Sequence, residues 1–249
     1  MTLVVYAYGC TNQPPQSMES NLKKFIEQGL SCVDTDYLFC LNIPKPNDNL
    51  VLPIGDNIFV VDVFPVFSDK TSKAYGTWYY GLQLFRETHN KVYNNYIFVK
   101  ATACGPSSPN WVEQFIERLS PEVGLCTTNI LWFRRSHRKN KTIFFTKIGV
   151  HMQSFVFAVT STCLDVILPS FLLAQEKRKL QFLLPIIIIR SKQNIASLYD
   201  CQNIDYRKQH QIDDVEKLYE IMKSHGLCWD SNIPNISTDP RNKLFYRNL

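Results

Sequence analysis

The chain lacks most of the short signatures by which a sequence declares its chemistry. Its eight cysteines stand at positions 10, 32, 40, 104, 126, 163, 201 and 228, with no C-x-x-C pair and no clustered histidines. Zinc-ligand spacing is therefore absent. No P-loop occurs. The turn after the first strand-like run, Tyr6-Ala-Tyr-Gly-Cys10, holds a single glycine, which disfavours a dinucleotide or methyl-donor fold. The strongest apolar run, Phe182 to Ile189, is eight residues long and contains Pro185, too short to cross a bilayer. The N-terminus has no charged n-region, long apolar stretch or cleavage site, so no signal peptide is expected. Charge of one sign is also scarce. With 27 Lys+Arg against 22 Asp+Glu, the net +5 suits an anionic small molecule and falls short of a nucleic-acid partner.

What is present reads as an ordinary globular protein. The 249 residues are 45% hydrophobic and 20% charged, enough for one large α/β domain or two small ones. Cys40 and Cys126 fall inside apolar runs and read as buried free thiols. That pattern points to a reducing compartment, here the cytoplasm. The 16 Phe, 12 Tyr and 4 Trp fill a core or stack on sugar and base rings.

Short β-type runs alternate with helical periods. Leu3 to Tyr8, Asp36 to Leu41, Asn57 to Phe64, Tyr96 to Val99, Val123 to Leu131, Thr142 to Thr146 and the run from His151 to Thr160 read as strands. Helices are expected over Glu19 to Gly29, Tyr75 to Phe85, Asn110 to Leu119, Ser161 to Leu173 and Asp213 to His225. Ser108 or Asn110 and Thr162 are candidate N-caps. The run Phe182 to Ile189 fits a buried strand or a broken helix equally. The alternation implies a mainly parallel, doubly wound sheet with ligands at the carboxyl ends of its strands.

Five blocks in order carry a resemblance. They are Asp36-Tyr-Leu-Phe-Cys-Leu-Asn42, Tyr75-Gly-Thr-Trp78, Tyr96-Ile-Phe-Val-Lys-Ala-Thr-Ala-Cys-Gly-Pro106, Trp111-Val-Glu-Gln-Phe-Ile-Glu-Arg-Leu119 and His151-Met-Gln-Ser-Phe-Val-Phe-Ala-Val-Thr160. Together they resemble GT-A-type glycosyltransferases, those encoded by large algal viruses including chloroviruses and those of bacterial polysaccharide synthesis. That family has a strand reading roughly Y-I-F-M-N-x-S-V-R-G-P and, some fifty residues later, a strand opening H-V-Q-S.

The resemblance implies one GT-A-like domain over residues 1–249. Its nucleotide-sugar half covers about 1–105, its acceptor half about 106–230 and a tail 231–249. It also implies a UDP-sugar donor, an oligosaccharide or glycoprotein glycan acceptor, and synthesis of viral glycoprotein glycans in the host cytoplasm. Xylose, glucose, galactose and rhamnose are all open as the sugar. The small Ala101-Thr-Ala103 loop favours a compact donor such as xylose.

Donor contacts are expected from Tyr6, Ala7 and Tyr8, the last as a uracil stacker or a core tyrosine, and from Lys100, Ala101 and Thr102. Family members hold Mn2+ or Mg2+ with an Asp-x-Asp after the fourth strand, because a hard cation needs oxygen ligands. This chain has Lys100-Ala-Thr102 there. Three readings stand: metal-independent catalysis with Lys100 on the β-phosphate, a metal held by groups such as His151, or a solvated lysine. The letters D-x-D occur instead at Asp34-Thr-Asp36, before the second strand, where they cap a turn, reach the nucleobase or hold a metal. Ala74 stands where the family's D-F-G-A-W segment has its aspartate.

Asp213 and Asp214, opening a late helix, are candidates for the base that deprotonates the acceptor hydroxyl, or simply its N-terminal cap. His151 and Gln153 are candidate sugar-side contacts. Arg134 and Arg135 belong to a basic run that is a solvated loop, closes over the diphosphate or meets an anionic acceptor, and Arg241 and Lys243 in the tail are further candidate phosphate contacts. A silent glycan- or nucleotide-sugar-binding module that lost the metal carboxylates is the rival reading.

Overall fold

A computed structural model describes residues 1–9, 15–30, 32–44, 50–67, 73–128, 130–134, 148–152, 156–175, 180–198 and 246–247. The first strand explains the architecture. In β1 (Thr2–Tyr8) every residue is buried, yet its side chains divide by alternation. Leu3, Val5 and Ala7 enter one core cluster, and Val4, Tyr6 and Tyr8 enter another. A strand apolar on both faces is stable only inside a sheet covered on both sides. β2 (Thr35–Leu41) repeats the pattern, with Leu38 and Cys40 in the first cluster and Tyr37, Phe39 and Leu41 in the second.

Helix α1 (Pro15–Gly29) covers the second face through Leu22 and Phe25. α2 (Lys73–Thr88) covers the first through Trp78, Leu82 and Phe85. The fit under α2 depends on Gly81, where an added Cβ would stand 2.2 Å from the Cys40 sulfur. β3 (Ile58–Asp62), β4 (Asn95–Lys100) and β5 (Ala103–Cys104) follow, then α3 (Trp111–Ile116), which adds Trp111, Val112 and Phe115 to the second face. The Trp111 indole N–H donates to the Gly29 carbonyl at 3.1 Å and ties α3 to the end of α1.

The remaining elements are β6 (Val123–Thr127), β7 (Ile130–Arg134), β8 (Ile148–Met152), β9 (Val156–Thr160), α4 (Ser161–Ile167), a 3-10 helix (Leu168–Gln175), α5 (Leu180–Arg190), β10 (Asn194–Ser197) and β11 (Tyr246–Arg247). A seven-stranded sheet has the order β10-β6-β9-β4-β1-β2-β3. It is parallel except for β9, which lies antiparallel between β4 and β6. β7 pairs with β8, and β11 with β5, as two small antiparallel sheets. The protein is thus α/β, with a mostly parallel sheet flanked by helices, as its sequence predicts. Among the described residues, no helix is long and apolar enough to cross a membrane.

Some sequence expectations change. The run from His151 to Thr160 is two strands, β8 and β9, in different sheets. Phe182 to Ile189 lies within helix α5, which carries Pro185 inside. Thr160 rather than Thr162 caps α4, its hydroxyl accepting from the Cys163 amide at 3.2 Å. Asn110 stands at the N-cap of α3 without a side-chain capping bond. Thr142 to Thr146 and the helix expected from Asp213 lie outside the described residues.

Candidate functional site

The order of the strands locates a crevice. β1 lies between β2 and β4, with α1 on one face and α2 on the other. Where successive crossovers leave a strand toward opposite faces, the chain parts at the carboxyl ends and a ligand can enter. Those ends are Tyr8-Gly9, Leu41-Asn42, Asp62 and Lys100 to Thr102. The antiparallel β9 begins at the same place, Val156 pairing with Val99.

The crevice floor is built by close approach. Gly9 has φ +85, and a Cβ there would sit 2.4 Å from the Asn42 carbonyl oxygen. Only glycine permits both the dihedral and the approach. The Asn42 amide N–H donates to the Tyr8 carbonyl at 2.9 Å, and its side chain donates to the Thr77 hydroxyl on α2 at 3.0 Å. On the other side, the Ala101 amide donates to the Ala7 carbonyl at 3.0 Å, and buried Asn21 of α1 donates to the Ala101 carbonyl at 2.8 Å. The turn after β4 is therefore held by main chain and side chain together.

Lys100 ends β4 opposite Ala7. Its ammonium lies 4.9 Å from the centre of the Tyr75 ring and 5.6 Å from that of Trp78. Both rings belong to the first turns of α2. Negative ring faces attract the ammonium electrostatically, and the lysine is half-buried. A cation beside the start of a helix whose dipole is positive at that end makes this corner of the crevice favourable to anions.

Of the donor-site candidates, Tyr6, Ala7, Tyr8, Lys100, Ala101 and Thr102 come together on the adjacent strands β1 and β4 and the turn that follows. Tyr6 is buried among Phe25 and Phe39, with ring centroids 4.8 and 5.7 Å away. Tyr8 is 4% exposed. Burial first, and the Glu19 carboxylate second, push its hydroxyl pKa up. His151 lies in β8 opposite Leu131, and Arg134 in β7 opposite Ile148. Arg135, Gln153, Asp213, Asp214, Arg241 and Lys243 lie outside the described residues.

Asp34 and Asp36 sit at the other end of the sheet. Asp36 accepts from the exposed Lys91 at 2.9 Å and from the buried Tyr93 hydroxyl at 2.6 Å, structural contacts remote from the carboxyl ends. The residues ending β4 do not fit a divalent cation. They offer an ammonium where carboxylates would be needed, and among the described residues no group of three or more His, Cys, Asp or Glu could hold one. Sequence reasoning missed Asn21, Asn42 and Thr77, which shape the floor. Their signal was faint: polar residues inside otherwise apolar faces, Asn21 and Thr77 both fully buried.

No family model matches this chain, and no curated protein matches it. Among solved structures, a glycosyltransferase involved in glycosylation of the major capsid of PBCV-1 aligns with TM-score 0.42 and 8% identity, over 80% of this chain and 83% of that one. Mouse xyloside xylosyltransferase 1 aligns with TM-score 0.42 and 10% identity, over 88% and 92%. A mannosyltransferase from Pyrobaculum calidifontis, in complex with GDP-Man and Mn2+, aligns with TM-score 0.32 and 10% identity over 66% of this chain and 45% of that one. All three neighbours are glycosyltransferases, and at this identity the likeness assigns no activity to the chain.

Proposed function

We propose that the chain is a GT-A-type glycosyltransferase that moves a sugar from a UDP-sugar to a hydroxyl of a growing glycan. The observation that carries this reading is Lys100, a cation held on two rings at the carboxyl end of β4, in the crevice where a doubly wound sheet takes its ligand. The five sequence blocks support it independently. By that resemblance, Lys100 to Thr102 stand in the segment where such enzymes meet the diphosphate.

In the reaction, the acceptor oxygen attacks the anomeric carbon from the side opposite the leaving group. The bond from that carbon to the β-phosphate oxygen breaks, and UDP departs with the electron pair. The acceptor proton passes to a carboxylate, Asp213 or Asp214. Inversion follows from the single displacement. Lys100 neutralises charge developing on the phosphate, and such preorganised stabilisation is typically worth about 10²–10³ in rate. Xylose, glucose, galactose and rhamnose are the candidate sugars, the whole chain forms one transferase domain, and viral glycoprotein glycans are the proposed product.

The test is turnover. The protein is incubated with each UDP-sugar and a panel of simple glycosides, and UDP release and product mass are followed. Transfer from one donor, lost in Asp213→Asn or Asp214→Asn with UDP affinity retained, supports the reading. UDP binding with no transfer to any acceptor favours the silent binding module.

A further inference from the structure

Four consecutive residues of α2 meet four different elements. The Tyr75 ring lies 5.2 Å from that of Phe171 in the 3-10 helix, and the Trp78 ring 5.2 Å from that of Phe98 in β4. At Gly76 an added Cβ would stand 2.4 Å from the ring of Phe67, beyond the end of β3. Thr77 is fully buried, and its hydroxyl accepts from the side chain of Asn42, itself 8% exposed, at 3.0 Å. Three of these contacts are apolar and non-directional, and the fourth is a directional bond. This is the turn on whose rings the Lys100 ammonium rests, 4.9 Å from Tyr75 and 5.6 Å from Trp78. Beneath it the main chain is tied to neighbouring carbonyls of β1. The Asn42 amide donates to Tyr8 and the Ala101 amide to Ala7. Asn42 and Lys100 thus reach one turn of α2 from opposite flanks of the same strand.

We propose that Asn42 is a positioning residue for Lys100, whose bond to Thr77 sets the turn of α2 against the ends of β1 and β2 and so fixes where the ammonium stands. The inference rests on the reading of Lys100 as the phosphate partner at a UDP-sugar site. A buried amide–hydroxyl bond replaces bonds to water, so its net contribution to stability is modest. What it adds to the apolar contacts around it is direction. Electrostatic stabilisation depends on a cation already standing where charge develops, and a small misplacement is costly. Asn42 acts on this cation through α2, without touching the nucleotide.

The experiment removes the bond and asks whether the loss passes through Lys100. UDP is titrated into the full chain as wild type, Thr77→Val and Thr77→Ser, each also in a Lys100→Gln background, with urea midpoints alongside. Thr77→Val keeps the shape of the side chain and loses the acceptor, whereas Thr77→Ser keeps the acceptor. Thr77→Val is expected to weaken UDP about fivefold, to be rescued by Thr77→Ser, and to cost nothing further in the Lys100→Gln background. Asn42→Ala removes the donor instead, should couple to Lys100→Gln in the same way, and decides the matter if Thr77→Val does not fold. Equal losses in both backgrounds would overturn the inference, as would wild-type UDP affinity in Thr77→Val. A wild-type protein that does not bind UDP, or binds it indifferently to Lys100→Gln, would instead overturn the reading of the site itself.

Discussion

Lys100 places its ammonium 4.9 Å from the centre of the Tyr75 ring, joining the end of β4 to the first turn of α2. A contact of this kind contributes only about 0.5–2 kcal/mol, so a lysine kept there for stability alone would be a minor feature. Lys100→Gln is expected to unfold within about 2 kcal/mol of wild type in urea and to transfer sugar about 10²–10³ times more slowly. A variant that loses stability and keeps its kcat would make the lysine structural.

Asn21 is fully buried and donates to the Ala101 carbonyl at 2.8 Å. Asn21→Leu removes that donor from a buried acceptor, which costs about 1–3 kcal/mol. Urea unfolding should show the loss, together with weaker UDP binding, because the turn bearing Lys100 loosens. Lys23→Ala, whose side chain is 79% exposed in a surface pair with Glu27, should move stability by no more than about 0.5 kcal/mol.

At Gly81 the main obstacle to a larger residue is the Cys40 side chain. A Cβ would meet Cys40 Sγ at 2.2 Å, and overpacking of this kind costs about 1–3 kcal/mol. Gly81→Ala should therefore destabilise wild type and do so much less in a Cys40→Ala background. A double-mutant cycle in urea measures the coupling. Equal costs in both backgrounds would place the strain elsewhere along α2.

Alkaline pH should unfold the protein early. Burial pushes the Cys163 thiol up to about 12 and also raises the Cys126 thiol and the Tyr37 and Tyr93 hydroxyls, the last helped by its bond to Asp36. A folded pKa above the unfolded one leaves stability intact below the unfolded thiol value, about 8.5, and removes it as pH climbs from there toward the folded value. Each such group steepens the loss by up to about 1.4 kcal/mol per pH unit. Urea midpoints from pH 7 to 10.5 should fall above about pH 8.5, and less steeply in Cys163→Ala.

The core strands were legible because burial on both faces leaves an unbroken apolar run. Leu3 to Tyr8 and Asp36 to Leu41 sit within a residue of their observed limits. Direction was not legible. Nothing in the period of residues 156–160 states that β9 runs against β4, since alternation looks the same both ways. Phe182 to Ile189 carried no helical signature because α5 is apolar nearly all round, and its surroundings tolerate Pro185. The site divided similarly. Lys100 stood out in its strand, but its partners Tyr75 and Trp78 lie on another element and meet it only through the fold.

The most direct measurement is UDP binding with manganese and with chelator, by wild type and Lys100→Gln, read as thermal stabilisation. At a hundredfold excess over its dissociation constant a ligand adds about 2.7 kcal/mol, which is readily visible. The account predicts stabilisation of wild type that survives the chelator and shrinks sharply in Lys100→Gln. No stabilisation of wild type under either condition would contradict it, as would stabilisation that vanishes with chelator and is indifferent to Lys100.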